Sequence, residues 1–205
     1  MKHALKAAFF LLGIIWLFFL IDWIPGIQLG IYGLYPRQLD GLVGVIMAPL
    51  IHSGWGHLLS NTPPILFLVG LIFFFYRPIA LPVLIFIWLS TGILVWIFGR
   101  PVYHIGASGV LYGLVAFVFW NGIFRRDIKS IALSLLVLFY FGSLITGILP
   151  GQEGISWESH LLGGVSGIIT AFLFRKKTKP PQDENETIHH EEEPRYFLDR
   201  NIFED

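Results

Sequence analysis

Six stretches of about 20 mostly apolar residues dominate this chain, and a helix of that length matches the roughly 30 Å hydrocarbon core of a bilayer. They fall near residues 4 to 24, 57 to 76, 79 to 98, 105 to 124, 130 to 149 and 158 to 174. Of the 205 residues, 55% are hydrophobic and 14% charged, where soluble domains carry about 45 to 50% and about 25%. One core of this size cannot hide so much apolar surface, so lipid is the expected covering. The sequence therefore predicts an all-α, multi-pass membrane protein of six transmembrane helices. The first stretch looks like a signal peptide, with Lys2 and Lys6 ahead of an apolar run. It lacks a small-x-small cleavage site before Asp22 and is expected to stay as the first span.

The 14 Lys plus Arg and 14 Asp plus Glu give a net charge of zero. That balance argues against nucleic acid as a partner, which usually selects a basic surplus. It is the sum of two unlike regions: residues 1 to 174 hold eight cationic and five anionic side chains, and residues 175 to 205 hold six and nine. Cationic loops stay in the cytoplasm. With the N-terminus inside, every Lys and Arg except Arg37 and Arg100 falls on the inner side. Both termini are thus expected in the cytoplasm, in a cell membrane of the bacterial inner-membrane kind. Residues 1 to 177 are expected to form the core, and 178 to 205, rich in Pro, Glu and Lys, a disordered acidic cytoplasmic tail. The long first external loop, about 25 to 56, contains GLVGVIMAPLI at 41 to 51. This run is too short to cross and is expected to pack against the helices as an interfacial or re-entrant element.

Polar residues inside spans are costly and therefore point to function. His52, His57 and Asn61 lie at or near the start of the second span, Ser108 at the start of the fourth, and His160 at the start of the sixth. These three spans enter from the same outer face, so the clusters share one depth. His57 and Asn61, four apart, face one side of a helix. Ser108 sits where unpaired N–H groups and the positive end of the helix dipole favour a developing anion. Gly106 and Gly109 permit a tight turn and close approach, and Gly163 with Gly167 forms a GxxxG that lets the fourth and sixth spans pack until an imidazole reaches a hydroxyl. Ser108 and His160 then make a nucleophile and base pair. A serine among glycines is more often packing, and a lone membrane-edge histidine is often interfacial; His104 is read that way. Convergence at one depth outweighs those readings. Glu158, two residues from His160, lies on another helical face, and Asp22, Asp40 and Glu153 lie in loops or at a span end, so a dyad is expected rather than a triad. Tyr112, one turn after Ser108, can pack on the His160 ring.

These residues resemble the rhomboid family of intramembrane serine proteases. GASGVLYG at 106 to 113 looks like that family's GxSG with a tyrosine four residues after the serine, His160 with Gly163 like its HxxG, and HSGWGHLLSN at 52 to 61 like its histidine and asparagine pattern. The resemblance runs from residue 1 to about 174. Tyr35-Pro36-Arg37 stands where many relatives carry a Trp-Arg pair, and His160 is followed by two leucines. It implies a six-helix bundle with a water-filled cavity open to the outside, and Ser108 and His160 as nucleophile and general base. It also implies that His57, Asn61 and the Ser108 backbone N–H bind the oxyanion, with Tyr112, Gly163 and His52 in support. The expected substrates are transmembrane segments of other proteins, with no cofactor and no metal. HExxH is absent, and so is an intramembrane Asp pair. The alternative in another class is a non-catalytic, rhomboid-like protein that binds membrane helices.

Overall fold

The computed structural model describes residues 2–151, 154 and 156–177. The tail expected from 178 onward and Glu153 lie outside the described residues. The chain forms α1 (Lys2–Asp22), α2 (Gly44–Met47), α3 (Trp55–Phe75), α4 (Ala80–Phe98), α5 (Ser108–Arg125), α6 (Ile128–Phe141) and α7 (Trp157–Phe174). α6 continues as a 3-10 segment, Gly142–Ile148. Among the described residues, five helices are long and apolar enough to cross a membrane: α1, α3, α4, α5, and α6 taken with its 3-10 continuation. α7 stands at the place of the expected sixth span, but its first turn of Trp157, Glu158, Ser159 and His160 dilutes its apolar character. Phe10, Phe139 and Ile128 are 72%, 83% and 86% exposed, so the outer surface of the bundle is one that water would not tolerate.

Several helix ends follow local chemistry. Gly106 adopts φ +104°, so α5 cannot begin until after it, at Ser108 and not at 105 as the apolar run suggests. The Asp127 carboxylate caps α6 by accepting from Ser130 N at 3.0 Å, and the Ser156 hydroxyl caps α7 by accepting from Ser159 N at 3.3 Å. α1 buries Ala4, Ala8, Leu12, Ile15 and Phe19, a stripe at helical spacing, and packs on α3. Trp16 Nε1 donates across that contact to Thr62 Oγ1 at 3.2 Å.

The connection from α1 to α3 holds 3-10 turns at Leu29–Tyr32, Asp40–Val43 and Ala48–Leu50 around the short α2. It is fastened to α4: Trp88 Nε1 donates to Ile46 O at 3.1 Å and Trp96 Nε1 to Gln38 O at 2.9 Å. Arg37 donates from Nη1 to Gly99 O at 2.7 Å and to Ile97 O at 3.2 Å, so this arginine closes the open C-terminal carbonyls of α4.

The most extensive helix contact is α5 against α7. A Cβ on Gly163 would collide with the Gly109 carbonyl, and one on Gly167 with the Gly113 carbonyl, so the backbones touch. A side chain on Gly164, by contrast, would meet nothing within 4 Å. We predict that Gly167→Leu destabilises the protein by about 1 to 3 kcal/mol, the usual cost of overpacking, and that Gly164→Leu costs nothing. Unfolding midpoints in detergent micelles check this, and equal effects at the two positions would contradict the packing described.

Candidate active site

Ser108 is the first residue of α5, delivered by the turn at Gly106. That turn is held from below, with Gly106 N donating to Ala48 O at 2.8 Å. A Cβ on Gly106 would stand 2.5 Å from the His57 ring, so only glycine lets the histidine lie against the chain just ahead of the serine. His160, in the first turn of α7, reaches Ser108 Oγ with Nε2 at 2.8 Å. Its other nitrogen, Nδ1, meets the Gly147 carbonyl at 2.9 Å. A carbonyl only accepts, so Nδ1 carries the proton and Nε2 presents its lone pair to the serine hydroxyl. That is the tautomer a general base needs.

The Tyr112 ring stacks on His160 with centroids 4.1 Å apart and planes 7° apart. Its hydroxyl donates to Leu144 O at 2.5 Å. Two carbonyls of the same 3-10 segment thus hold the histidine and the ring beneath it. Asn61 is buried and donates one amide hydrogen to His57 O at 2.7 Å, which leaves a second hydrogen unspent. Ser108, His160, Tyr112, His57 and Asn61 all line one cavity of about 980 Å³. Gly109 and Gly163 are not among its lining residues; they sit at the α5–α7 contact. His52 stands behind His57, ring centroids 4.9 Å apart.

Three features escaped the sequence reading. The acceptors at Gly147 and Leu144 are backbone oxygens, which leave no mark in residue type. Glu158 is engaged by Arg100 through two guanidinium nitrogens, the second at 3.1 Å, and among the described residues no carboxylate bonds His160. His104, read as an interfacial residue, is instead buried: Nδ1 meets Ser156 Oγ at 2.6 Å and Nε2 meets Arg100 O at 3.1 Å. Its backbone also pairs with Leu34 as an isolated antiparallel bridge, which ties it to the first connection. Among the described residues no group of three or more His, Cys, Asp or Glu side chains is placed to hold a metal ion.

His52 lies in the connection before α3, and neither ring nitrogen reaches a partner at full hydrogen-bond geometry. Burial lowers its pKa from 6.5 to about 4, helped by the neighbouring His57 charge and opposed by the Leu50 carbonyl. In the unfolded chain the same imidazole takes its proton near pH 6.5. The native state therefore binds fewer protons between those values, and stability falls as pH drops from about 6.5 towards about 4. We expect His52→Gln to flatten that part of a plot of unfolding midpoint against pH. An unchanged slope would contradict a buried neutral His52.

The rhomboid domain model matches residues 40–177. Uncharacterized proteins of Mycobacterium bovis and Mycobacterium tuberculosis are each 39% identical over 169 residues, covering 75% of this chain and 68% of the relative. An uncharacterized protein of Mycobacterium leprae is 33% identical over 171 residues, covering 79% and 68%. A family match over more than half of its length, relatives above 30% identity and a bundle of apolar helices lead to one conclusion: this chain belongs to the rhomboid family and is a multi-pass membrane protein.

Proposed function

We propose that the protein is an intramembrane serine endopeptidase that cleaves transmembrane segments of other membrane proteins near the outer leaflet. The observation that carries this reading is the 2.8 Å approach of His160 Nε2 to Ser108 Oγ, with Nδ1 bound to a carbonyl. Membership in the rhomboid family supports it.

In this mechanism His160 takes the proton of Ser108 as Oγ attacks the scissile carbonyl, then gives it to the leaving amine. The oxyanion is received by the Ser108 backbone N–H, the His57 ring and the free amide hydrogen of Asn61. Water then enters, His160 deprotonates it, and the acyl-serine is hydrolysed. The cavity supplies room for water and for a locally unwound substrate strand. Unwinding is required, since a helical peptide keeps its carbonyls bonded within the helix, and it favours substrates with helix-weakening Gly or Pro near the outer end of the span; the family resemblance adds Ala.

The same reading takes α7 as the sixth span. It sets both termini in the cytoplasm, with the cavity facing the outside of a bacterial inner membrane, in keeping with the cationic inner connections. Ser108, His57 and His160 all occur in the first turn of their helices, as α3, α5 and α7 entering from one face requires.

In proteoliposomes carrying a model transmembrane substrate, Ser108→Ala and His160→Ala should reduce cleavage to background. Asn61→Ala should lower kcat by about 10² to 10³, the usual cost of one oxyanion donor. Cleavage undiminished in Ser108→Ala would sink the protease reading and leave a helix-binding protein on the same scaffold.

A further inference from the structure

The base and the nucleophile ride on different helices, and the glycine contact between α5 and α7 fixes how far apart those helices stand. Gly163 and Gly167 also set which face of α7 meets α5, but they lie about one and two turns beyond His160, and the first turn at the cavity has fastenings of its own. Glu158 and His160 are two residues apart, about 200° around a helix, so they project from nearly opposite sides of the first turn. Holding Glu158 on one side aims His160 on the other.

Glu158 is held. Its carboxylate takes both Nε and Nη2 of Arg100, which belongs to the loop leading from α4 to Ser108. The guanidinium also lies over the Trp157 ring, 5.9 Å from its centroid. A second tie runs beside it. Arg100 O accepts from His104 Nε2–H at 3.1 Å, so His104 Nδ1 must accept from the Ser156 hydroxyl at 2.6 Å. Ser156 Oγ in turn meets Ser159 Oγ at 2.6 Å and Ser159 N at 3.3 Å, and Ser159 directly precedes His160. The two ties join the segment that ends in Ser108 to the segment that ends in His160.

Resting on the protease reading, we infer that Arg100 and Glu158, backed by the His104–Ser156–Ser159 chain, form a latch that positions His160 against Ser108. Neither residue touches the reacting atoms; they are positioning residues. The Arg100 side chain is 56% exposed and also lines the cavity, whereas that of Glu158 is 5% exposed. Glu158 is buried, so loss of its partner also costs stability. What a two-pronged guanidinium contact supplies is geometry, and lysine cannot reproduce its fork.

The test measures kcat, KM and the rate of labelling by a serine-reactive phosphonate, per folded molecule, in the full chain reconstituted with a model transmembrane substrate. Arg100→Lys and Glu158→Gln should each lower kcat about tenfold and slow phosphonate labelling in parallel, with KM within about twofold, because a small misplacement of a base costs rate and not binding. The charge-swapped double variant Arg100→Glu with Glu158→Arg should recover kcat to within about threefold of the parent. Ser108→Ala runs alongside. Unchanged kcat and labelling in both single variants, a loss wholly explained by a smaller folded fraction, or a double variant no better than the singles would each overturn the latch. Full cleavage in Ser108→Ala would overturn the protease reading and the latch with it.

Discussion

Backbone contact between α5 and α7 is the constraint on which the rest of the molecule depends. In lipid there is no hydrophobic force to press two apolar helices together, so association has to come from packing and from hydrogen bonds. Gly163 against the Gly109 carbonyl and Gly167 against the Gly113 carbonyl let the two backbones meet. That contact brings the first turns of two helices, 52 residues apart in the chain, close enough for a 2.8 Å bond between His160 and Ser108.

Everything around that contact serves to orient. The 3-10 continuation of α6 turns two carbonyls inward, one onto His160 Nδ1 and one onto the Tyr112 hydroxyl, and the tyrosine ring lies flat beneath the imidazole. A carbonyl acceptor fixes the tautomer that a carboxylate fixes elsewhere, without placing a second charge at membrane depth. The polar first turn of α7 has a cost. Glu158, Ser159 and His160 make it less apolar than its neighbours, and it packs chiefly on α5 and α4. On the proposed reading, the chemistry of the site and the weak hydropathy of that helix have one origin.

Much of this was legible in the chain. The apolar stretches located the ends of the long helices to within about three residues, because a membrane span is a one-dimensional signal, except that α6 ends at Phe141 and only its 3-10 continuation reaches Ile148. His57 and Asn61 at a spacing of four, Ser108 between glycines, and His160 ahead of Gly163 and Gly167 were visible as polar or small residues where lipid disfavours them, and the structure brings those side chains to one cavity. What stayed hidden is three-dimensional. Gly147 and Leu144 act through oxygens that every residue possesses. His104 looked interfacial because its burial depends on the first connection folding over it, and the ion pair of Arg100 with Glu158 spans 58 residues with no periodic pattern to announce it. The 3-10 stretch after Phe141 reads as plain helix in hydropathy, since composition alone cannot separate the two geometries.

The central claim is that Ser108 is a nucleophile made reactive by His160. Its most direct measurement is covalent: the purified protein is treated with a fluorophosphonate, and the adduct is mapped by mass spectrometry in the parent and in His160→Ala. The account predicts one adduct, on Ser108, that disappears when His160 is removed. An adduct on another residue, or one on Ser108 that forms as fast without His160, would contradict it.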